Sequence, residues 1–326
     1  MRDWLVTADD RTGAFEVAGE IAGVAGSTLV TVCVAPTGDG VVDLSSRHLP
    51  PSDAAQRASA MPTATWNAHK IDSTLRGNWA VEVRARQCAT GRRVLVIAAW
   101  PAMGRTCSGG VVHVHGIAIG DVRDGLPEAE LLSDLAGLRT WIGQRGTFAV
   151  IDVTDTGSMA AIAEMVAGHD MLIAGPAGPI AAVFAACRRR VPSPPPARCS
   201  LPALVVCGSA TELSHRQVGR LVAAIPEVDV LAAPPVAGDL EPEVATELAR
   251  KAHARMAARS YRTVVLVGGD TAGAVLGGAA RRVGGVVAPG MPWSRDERGA
   301  GPLVVTKAGG FGGVDALVTL FGRETE

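Results

Sequence analysis

The sequence predicts an α/β protein of two α/β domains, with mainly parallel sheets and helices on both faces. Apolar, β-branched runs alternate along the 326 residues with Ala-rich stretches of helical period, which is the pattern of parallel strands joined by crossover helices. Only 4% of the residues are aromatic while 39 are glycine, as closely packed helix and sheet layers with many tight turns require. The length suits two domains, because one domain usually takes about 100–200 residues.

Eight strands and eight helices follow from this alternation. The strands are short apolar runs that end at turns, and they are predicted at Trp4–Thr7, Thr28–Val34, Val94–Ala98, Phe148–Val153, Met171–Ala174, Leu204–Cys207, Thr263–Val267 and Leu303–Thr306. The helices have apolar residues at three- and four-residue spacing. They are predicted at Thr12–Ala25, Asn78–Ala89, Gly157–Val166, Pro179–Arg189, Ser214–Ala224, Pro242–Arg259, Thr271–Arg282 and Gly313–Phe321.

A proline-rich segment divides the chain. Residues 191–202 contain five prolines, and such a segment can continue neither a helix nor a central strand. We therefore place the domain boundary there, which predicts one α/β domain at residues 1–195 and a smaller one at residues 196–326.

The charge balance and the cysteines exclude several classes of protein. The chain has 31 basic and 32 acidic side chains, whereas nucleic-acid and polybasic membrane binders carry a clear excess of Lys and Arg. Its six cysteines form no CxxC pair and no metal-finger spacing, and the N-terminus lacks the pattern of a secretory signal. We expect a cytoplasmic protein with reduced thiols. Its ligand should be a small molecule, with neither a nucleic acid nor a membrane as partner.

Two adjacent acids follow the first predicted strand. Asp9 and Asp10, with Thr12 two positions on, stand directly before a predicted helix. The loops at the carboxyl ends of strands line the ligand crevice of open α/β sheets, so these carboxylates are placed to bond hydroxyls or to hold a metal. Taken alone, the pattern equally fits a solvated turn whose Asp or Thr caps the helix.

A second polar cluster also opens a helix. Hydroxyls and backbone N–H groups at a helix start, with Lys and Arg beside them, form a site for a carboxylate or phosphate. Capping a helix needs only one Ser or Thr, so it does not explain why so many polar and charged residues stand together in residues 70–76. Arg105 follows another predicted strand and adds a third basic group at the same edge of the sheet. The candidate anion-binding residues are Lys70, Asp72, Ser73, Thr74, Arg76 and Arg105.

Three glycine-rich turns follow strands in the second predicted domain. They begin at Gly208, Gly268 and Lys307, and glycine lets backbone amides approach phosphate oxygens closely. Tight strand-to-helix turns would explain any one of them, but three together favour a nucleotide. None matches the Walker A loop or the GxGxxG dinucleotide motif.

Together these motifs resemble, in order and spacing, those of the four-carbon acid sugar kinase family, over nearly the whole chain. They are Asp9-Asp10-x-Thr12-Gly13-Ala14, Lys70-x-Asp72-Ser73-Thr74-Leu75-Arg76-Gly77-Asn78, Gly104-Arg105-Thr106, Gly208-Ser209, Gly268-Gly269-Asp270-Thr271 and Lys307-x-Gly309-x-Phe311-Gly312-Gly313.

The resemblance implies an ATP-dependent kinase. Its N-terminal domain, residues 1–195, would bind a small hydroxy acid such as threonate or erythronate, with Thr12 among the binding residues. Its C-terminal domain, residues 196–326, would bind ATP. The matching ATP positions are Ser209, Gly268, Gly269, Asp270, Thr271, Lys307, Gly309 and Gly310.

Phosphoryl transfer needs alignment, cations and a carboxylate that accepts the hydroxyl proton. We expect Asp9 or Asp10 to accept that proton. Mg²⁺ should bridge the ATP phosphates, with Asp270 as a water-mediated partner. The substrate carboxylate would be held by Lys70, Arg76 and Arg105, and its hydroxyls would be recognised by Asp72, Ser73 and Thr74.

Two other functions stay open from the sequence. The family usually has Glu where this chain has Asp270, and Ser-Gly-Asn where it has Ala308-Gly309-Gly310. These departures leave room for a kinase of another hydroxylated metabolite, such as a hydroxyamino acid. A non-catalytic two-lobe ligand sensor is the second alternative. A homodimer is a candidate assembly, because homodimers are the commonest soluble oligomers.

Overall fold

The computed structural model describes residues 2–191, 197–234 and 242–322, and its strands and helices alternate as the sequence predicts. The predicted domain boundary, between residues 195 and 196, touches residues outside these ranges. The strands are β1 (Trp4–Ala8), β2 (Thr28–Val32), β3 (Gly40–Asp43), β4 (Trp66–Lys70), β5 (Arg93–Val96), β6 (Arg105–Ser108), β7 (Val111–Val114), β8 (Ile117–Asp121), β9 (Glu130–Leu132), β10 (Phe148–Ile151), β11 (Met171–Gly175), β12 (Ala203–Cys207), β13 (Asp229–Ala232), β14 (Thr263–Val267), β15 (Arg281–Ala288), β16 (Met291–Asp296) and β17 (Leu303–Lys307).

The helices cover both faces of the sheet that these strands form. None of those in the described ranges has both the length and the apolar character needed to cross a membrane. They are α1 (Arg11–Ala25), α2 (Pro51–Ser59), α3 (Trp79–Thr90), α4 (Val122–Gly125), α5 (Leu135–Ile142), α6 (Thr156–Val166), α7 (Ala177–Cys187), α8 (Glu212–Ala224), α9 (Pro242–Ala258), α10 (Gly269–Leu276) and α11 (Ala316–Thr319).

One mainly parallel sheet runs through the whole described chain. Its N-terminal half has the order β2-β3-β1-β4-β11-β5-β10-β9, and every neighbouring pair there is parallel. Its C-terminal half contains the parallel group β13-β12-β14-β17. The antiparallel strands β15 and β16 join the halves, because β15 pairs with β2 and β16 pairs with β17. A separate antiparallel sheet consists of β6, β7 and β8.

The linking strands reverse the direction of the sheet. Three antiparallel pairings separate β17 from β2, so the parallel strands of the two halves run in opposite directions. In a flat sheet their carboxyl ends would lie at opposite edges. The start of α10 nevertheless lies against the loop after β1, because a Cβ on Gly269 would lie 3.0 Å from Oδ2 of Asp10. The sheet therefore bends between the halves, where register shifts mark β-bulges in the pairing of β15 with β16.

Helix α1 crosses this junction. It packs against α7 on one side and against β15, β16 and α10 on the other, and 12 of its 15 residues are buried. The helix begins where Asp10 accepts a hydrogen bond from the N–H of Gly13, and it ends at Gly26, whose φ of 82° is one that glycine tolerates. Small residues such as Gly19 let α1 lie directly on the linking strands.

Two predicted helices differ from the structure. The helix predicted at Thr271–Arg282 ends at Leu276, and residues from Arg281 onward form β15. Gly277 and Gly278 break the helix, and the residues of β15 beyond them pair with β2 and β16. The helix predicted at Gly313–Phe321 is a single turn, α11. The sequence prediction also lacked the strands β3, β4, β6, β7, β8, β9, β13, β15 and β16 and the helices α2, α4 and α5.

Two glycines of α1 provide a test of this packing. A Cβ on Gly19 would lie 2.8 Å from Cβ of Pro292, whereas nothing lies within 4 Å of a Cβ on Gly23. We expect Gly19→Ala to lower the free energy of unfolding by about 1–3 kcal/mol, because β16 must move. Gly23→Ala should raise it by roughly 0.5–1 kcal/mol, because alanine restricts the unfolded chain. Urea unfolding measures both changes, and equal effects would contradict the packing of α1 on β16.

Candidate active site

The two acids that follow β1 lie side by side but differ in environment. Asp9 is fully buried, and its two oxygens accept hydrogen bonds from Nε and Nη2 of Arg47 at 2.8 and 3.0 Å. Asp10 uses Oδ1 to cap α1 at Gly13 and Oδ2 to accept from Nη1 of Arg47 at 2.9 Å. Burial raises the pKa of the Asp10 carboxyl, while the charge of Arg47 opposes that rise.

Arg47 is the central cation of this cluster, and the sequence prediction missed it. Besides Asp9 and Asp10, its guanidinium lies 3.4 Å from Oδ2 of Asp72. Burial acts to lower the pKa of Arg47, but the neighbouring carboxylates outweigh burial and raise it above the ordinary arginine value. Arg47 follows β3, which pairs in parallel with β1. Recognition of residues 40–43 as a strand would have placed Arg47 at the same sheet edge as Asp9.

Lys70 ends β4 and lies beneath the first turns of α1. Its Nζ donates to the carbonyl oxygen of Ile71 at 2.9 Å and lies 3.5 Å from Oε2 of Glu16. Burial raises the pKa of Glu16, and the charge of Lys70 opposes that rise. Gly13 makes room for the lysine, since a Cβ there would lie 3.3 Å from Nζ. Glu16, which the sequence prediction also missed, is therefore the acidic partner of Lys70.

The polar cluster before α3 is largely paired within itself. Oδ1 of Asp72 accepts from the N–H of Thr74 at 2.9 Å and from its hydroxyl, and Oδ2 accepts from Nη2 of Arg76 at 2.9 Å. Burial acts to raise the pKa of Asp72, but Arg76 and Arg47 hold that pKa well below its usual range. The side chain of Arg76 is 65% exposed, so its charge faces solvent as well as Asp72.

Arg105 is a buried cation without an acidic partner. It is 7% exposed, its Nε donates to Oγ of Ser73 at 3.0 Å, and its Nη1 donates to the carbonyl oxygen of Met103 at 2.6 Å. Within the described ranges no carboxylate oxygen comes within 4.0 Å of its nitrogens. Burial lowers the pKa of Arg105. A buried guanidinium needs a counter-charge, so Arg105 is suited to bind an anionic ligand.

Three hydroxyls meet at the first glycine-rich turn of the C-terminal half. Oγ of Ser209 lies 3.0 Å from Oγ1 of Thr211 and 3.0 Å from Oγ of Ser214. Ser214 in turn donates to the carbonyl oxygen of Gly309 at 2.9 Å. A Cβ on Gly309 would lie 2.1 Å from Oγ of Ser209, so only glycine lets these two turns meet.

Lys307 holds the third glycine-rich turn from below. It is fully buried, and its Nζ donates to the carbonyl oxygens of Ala308 and Gly309, each at 3.0 Å. Burial lowers its pKa to about 8. Gly310 lies on the open side of the turn, with nothing within 4 Å of the place of a Cβ. The lysine thus points into its own loop, while the backbone at Gly310 faces outward.

The second glycine-rich turn, at Gly268, lies between the acids that follow β1 and the other two glycine-rich turns. Gly268 has a φ of 110° and precedes α10, and a Cβ on Gly269 would lie 2.9 Å from Oγ1 of Thr12. Oγ1 of Thr271 is buried without a hydrogen-bond partner in the described structure. Asp270 is 72% exposed, with Oδ1 3.6 Å from Nε2 of His48. The predicted acid-binding and nucleotide-binding residues therefore face one another.

Two family models match this chain, one in the half that contains Asp9 and Asp10 and the other in the half that contains the glycine-rich turns. One is described as a sugar-binding N-terminal domain and matches residues 4–124; the other is described as a nucleotide-binding C-terminal domain and matches residues 237–317. The chain belongs to the four-carbon acid sugar kinase family. The first match covers the loops after β1, β3 and β4, and the second covers the turns at Gly268 and Lys307.

Individual proteins resemble this family member to different extents. A D-threonate kinase of Cupriavidus necator is 34% identical over 169 residues, which are 47% of this chain and 39% of the relative. This chain therefore spans about two fifths of that relative's length. A structure from Salmonella typhimurium LT2 has a TM-score of 0.71 at 18% identity and covers 98% of both chains. A Haemophilus influenzae protein of DUF1537 has a TM-score of 0.65 at 18% identity, covering 98% of this chain and 99% of its own. These two structures confirm the fold.

The buried lysine of the family member gives a pH-dependent stability that can be measured. Below pH 8 Lys307 is protonated in both the folded and the unfolded chain, so burial of its charge costs the most there. Between pH 8 and 10.5 the folded chain releases this proton while the unfolded chain retains it, so stability should rise with pH by up to about 3 kcal/mol.

Comparison of Lys307→Met with wild type by urea unfolding between pH 7 and 10 isolates this effect. The variant should lack the part of the rise that Lys307 contributes. Lys251→Met removes an exposed lysine of α9 and should follow the wild-type curve. A Lys307→Met curve parallel to wild type would show that the folded protein does not disfavour the charge of Lys307.

Proposed function

We propose that this chain is an ATP-dependent kinase that phosphorylates a hydroxyl of a small four-carbon hydroxy acid of the threonate or erythronate type. The observation that carries the proposal is the contact between the loop of Asp10 and the start of α10. A Cβ on Gly269 would lie 3.0 Å from Oδ2 of Asp10. A hydroxyl held at Asp10 would thus lie beside the turns that the motifs assign to nucleotide phosphates. The D-threonate kinase among the relatives supports the same substrate class.

Of the two adjacent acids, we assign Asp10 as the group that accepts the hydroxyl proton. Both oxygens of Asp9 bind Arg47 and the residue is fully buried, so Asp9 anchors the guanidinium. Asp10 is 16% exposed at its side chain and borders Gly269. A base must be ionised before it accepts a proton. Arg47 supports that state by opposing the effect of burial on the pKa of Asp10.

The acid substrate would be bound mainly through Arg105. This guanidinium is buried without a carboxylate partner, whereas Lys70 already has Glu16 and Arg76 already has Asp72. A substrate carboxylate at Arg105 would supply the missing counter-charge. Ser73, which accepts from Arg105, is placed beside it to bond a substrate hydroxyl.

The nucleotide side fits ATP as the second substrate, with Mg²⁺ bound to its phosphates. Its donors are hydroxyls, backbone amides and the exposed carboxylate of Asp270. Within the described ranges no group of three or more His, Cys, Asp or Glu side chains could hold a metal ion. This donor set suits an ion that keeps several waters and is held mainly by phosphates, as Mg²⁺ is in kinases. Asp270 would hold one of those waters, and the ion would supply neutralising charge.

A coupled assay of ADP release with Mg-ATP tests the function directly. The panel contains four-carbon sugar acids and hydroxyamino acids. We expect ADP release that depends on a sugar acid and that falls by about 10²–10⁴ in kcat for Asp10→Asn, because asparagine cannot accept the proton. Asparagine still caps a helix, so α1 should remain folded.

Asp155→Asn is the matched control, since Asp155 caps the exposed start of α6 far from the site in sequence; it should retain wild-type turnover. Near-normal turnover of Asp10→Asn would overturn the role of Asp10. ADP release with hydroxyamino acids alone would assign a different substrate class. No ADP release with any member of the panel would overturn the proposed function.

The role of Arg47 predicts a shift in the pH profile. Without its positive charge the pKa of Asp10 should rise further, and activity falls as the pH drops through the pKa of a base. The acidic limb of kcat/KM for Arg47→Gln should therefore move to higher pH, by about one pH unit or more. Arg139→Gln changes an exposed arginine of α5 and should leave the limb in place. If the acidic limb of Arg47→Gln does not move, the charge of Arg47 does not control the ionisation of Asp10.

A further inference from the structure

A single aromatic contact connects the third glycine-rich turn with the acid-binding residues. The guanidinium carbon of Arg105 lies 4.3 Å from the ring centroid of Phe311. Arg105 begins β6 in the N-terminal half, whereas Phe311 lies in the turn after β17 in the C-terminal half. At this distance a buried guanidinium over an aromatic face is attracted to the ring. The two halves are thus joined at Arg105, whose guanidinium lacks an acidic partner among the described residues.

The position of the Phe311 ring is set by the loop that carries it. Nε2 of Gln217, a fully buried residue of α8, donates to the carbonyl oxygens of Phe311 at 3.0 Å and Gly313 at 2.8 Å. Earlier in the same turn, Gly309 is held by Ser214 and Lys307. A ligand that binds this turn therefore binds the same loop that carries the ring of Phe311.

On the other side, the same ring limits where Arg105 can lie. Nε of Arg105 donates to Ser73, and its Nη1 donates to Met103, so two nitrogens of the planar group are already oriented. The guanidinium carbon also lies over the Phe311 ring. Gly290, in the turn between β15 and β16, closes the space beside it, because a Cβ there would lie 3.1 Å from the Phe311 ring. The guanidinium is therefore held in one orientation while the turn stays in place.

We propose that Phe311 couples the two ligand sites, so that a nucleotide bound at the third turn raises the affinity of Arg105 for the acid, and the acid raises the affinity for the nucleotide. The proposal rests on the proposed function for the identity of the two ligands. A phosphate bound at the open side of the turn, at Gly310, would restrain the turn further and hold the ring against Arg105, and an anion at Arg105 would hold the guanidinium against the ring. Because coupling between two sites is reciprocal, both ligands must show the same factor.

Isothermal titration calorimetry on the full chain measures this coupling. Threonate is titrated with and without saturating Mg²⁺ and a non-hydrolysable ATP analogue, and the analogue is titrated with and without threonate. In wild type we expect each ligand to tighten the other by at least about 5-fold. Phe311→Leu keeps an apolar side chain but removes the aromatic face, so the coupling factor should fall to about one. Phe311→Tyr keeps that face and should retain the coupling.

Two comparisons separate coupling from a merely structural role. The analogue alone should bind Phe311→Leu as it binds wild type, because the backbone of the turn is held by Gln217. Phe321→Leu removes a half-buried ring of the same half and should leave the coupling factor unchanged. Loss of analogue affinity in Phe311→Leu, with an unchanged coupling factor, would overturn the proposal.

The remaining outcomes distinguish this proposal from the proposed function. Wild type that releases ADP but shows no coupling, or Phe311→Leu that couples like wild type, overturns the role of Phe311 and leaves the kinase standing. Coupling that Phe311→Leu abolishes, in a protein that phosphorylates no acid, supports Phe311 and overturns the kinase. Wild type that binds neither threonate nor the analogue overturns both.

Discussion

The arrangement of the candidate site depends on one guanidinium that holds three carboxylates together. Asp9, Asp10 and Asp72 come from the ends of β1 and β4, and without a cation their mutual repulsion would protonate or separate them. Arg47 lies within 3.4 Å of all three, and its guanidinium keeps its charge at any physiological pH. The same contacts of Arg47 hold the loop after β3 against the loops after β1 and β4. The shape of the site and the arrangement of its charges therefore depend on the same interaction.

The second constraint is the reversal of the sheet by β15 and β16. It gives the two halves opposite strand directions, and the bend between them brings the turns of one half onto the acids of the other. Helix α1 stabilises that bend, because its small residues let it lie on the linking strands while its first turn carries Asp10 and Thr12. The packing of one helix therefore sets the distance between the proposed acid site and the proposed nucleotide site.

Whether a basic residue of this site is available to a ligand depends on its neighbours as well as on its place in the fold. Lys70, Arg76 and Arg105 form one predicted anion site in the sequence, yet two of them have acidic partners in the structure. Arg105 differs because its neighbours are a hydroxyl, a carbonyl group and an aromatic ring. These neighbours orient the guanidinium without neutralising it. In the proposed acid site the buried charge of Arg105 thus stays available to a ligand, and it borders the C-terminal half.

The sequence by itself determined the alternating architecture, because apolar runs and helical periods depend on local residue order. It placed Asp9 and Asp10 at the end of the first strand, Lys70 before a helix and Arg105 in a loop after a strand. Only the tertiary structure decided the rest. Strand β15 was predicted as helix because its strand state depends on pairing with β2 and β16, which lie elsewhere in the chain. Arg47 lies 38 positions along the chain from Asp9, and Phe311 lies 206 positions from Arg105. The tertiary structure brings each pair together, and no local sequence pattern records these contacts.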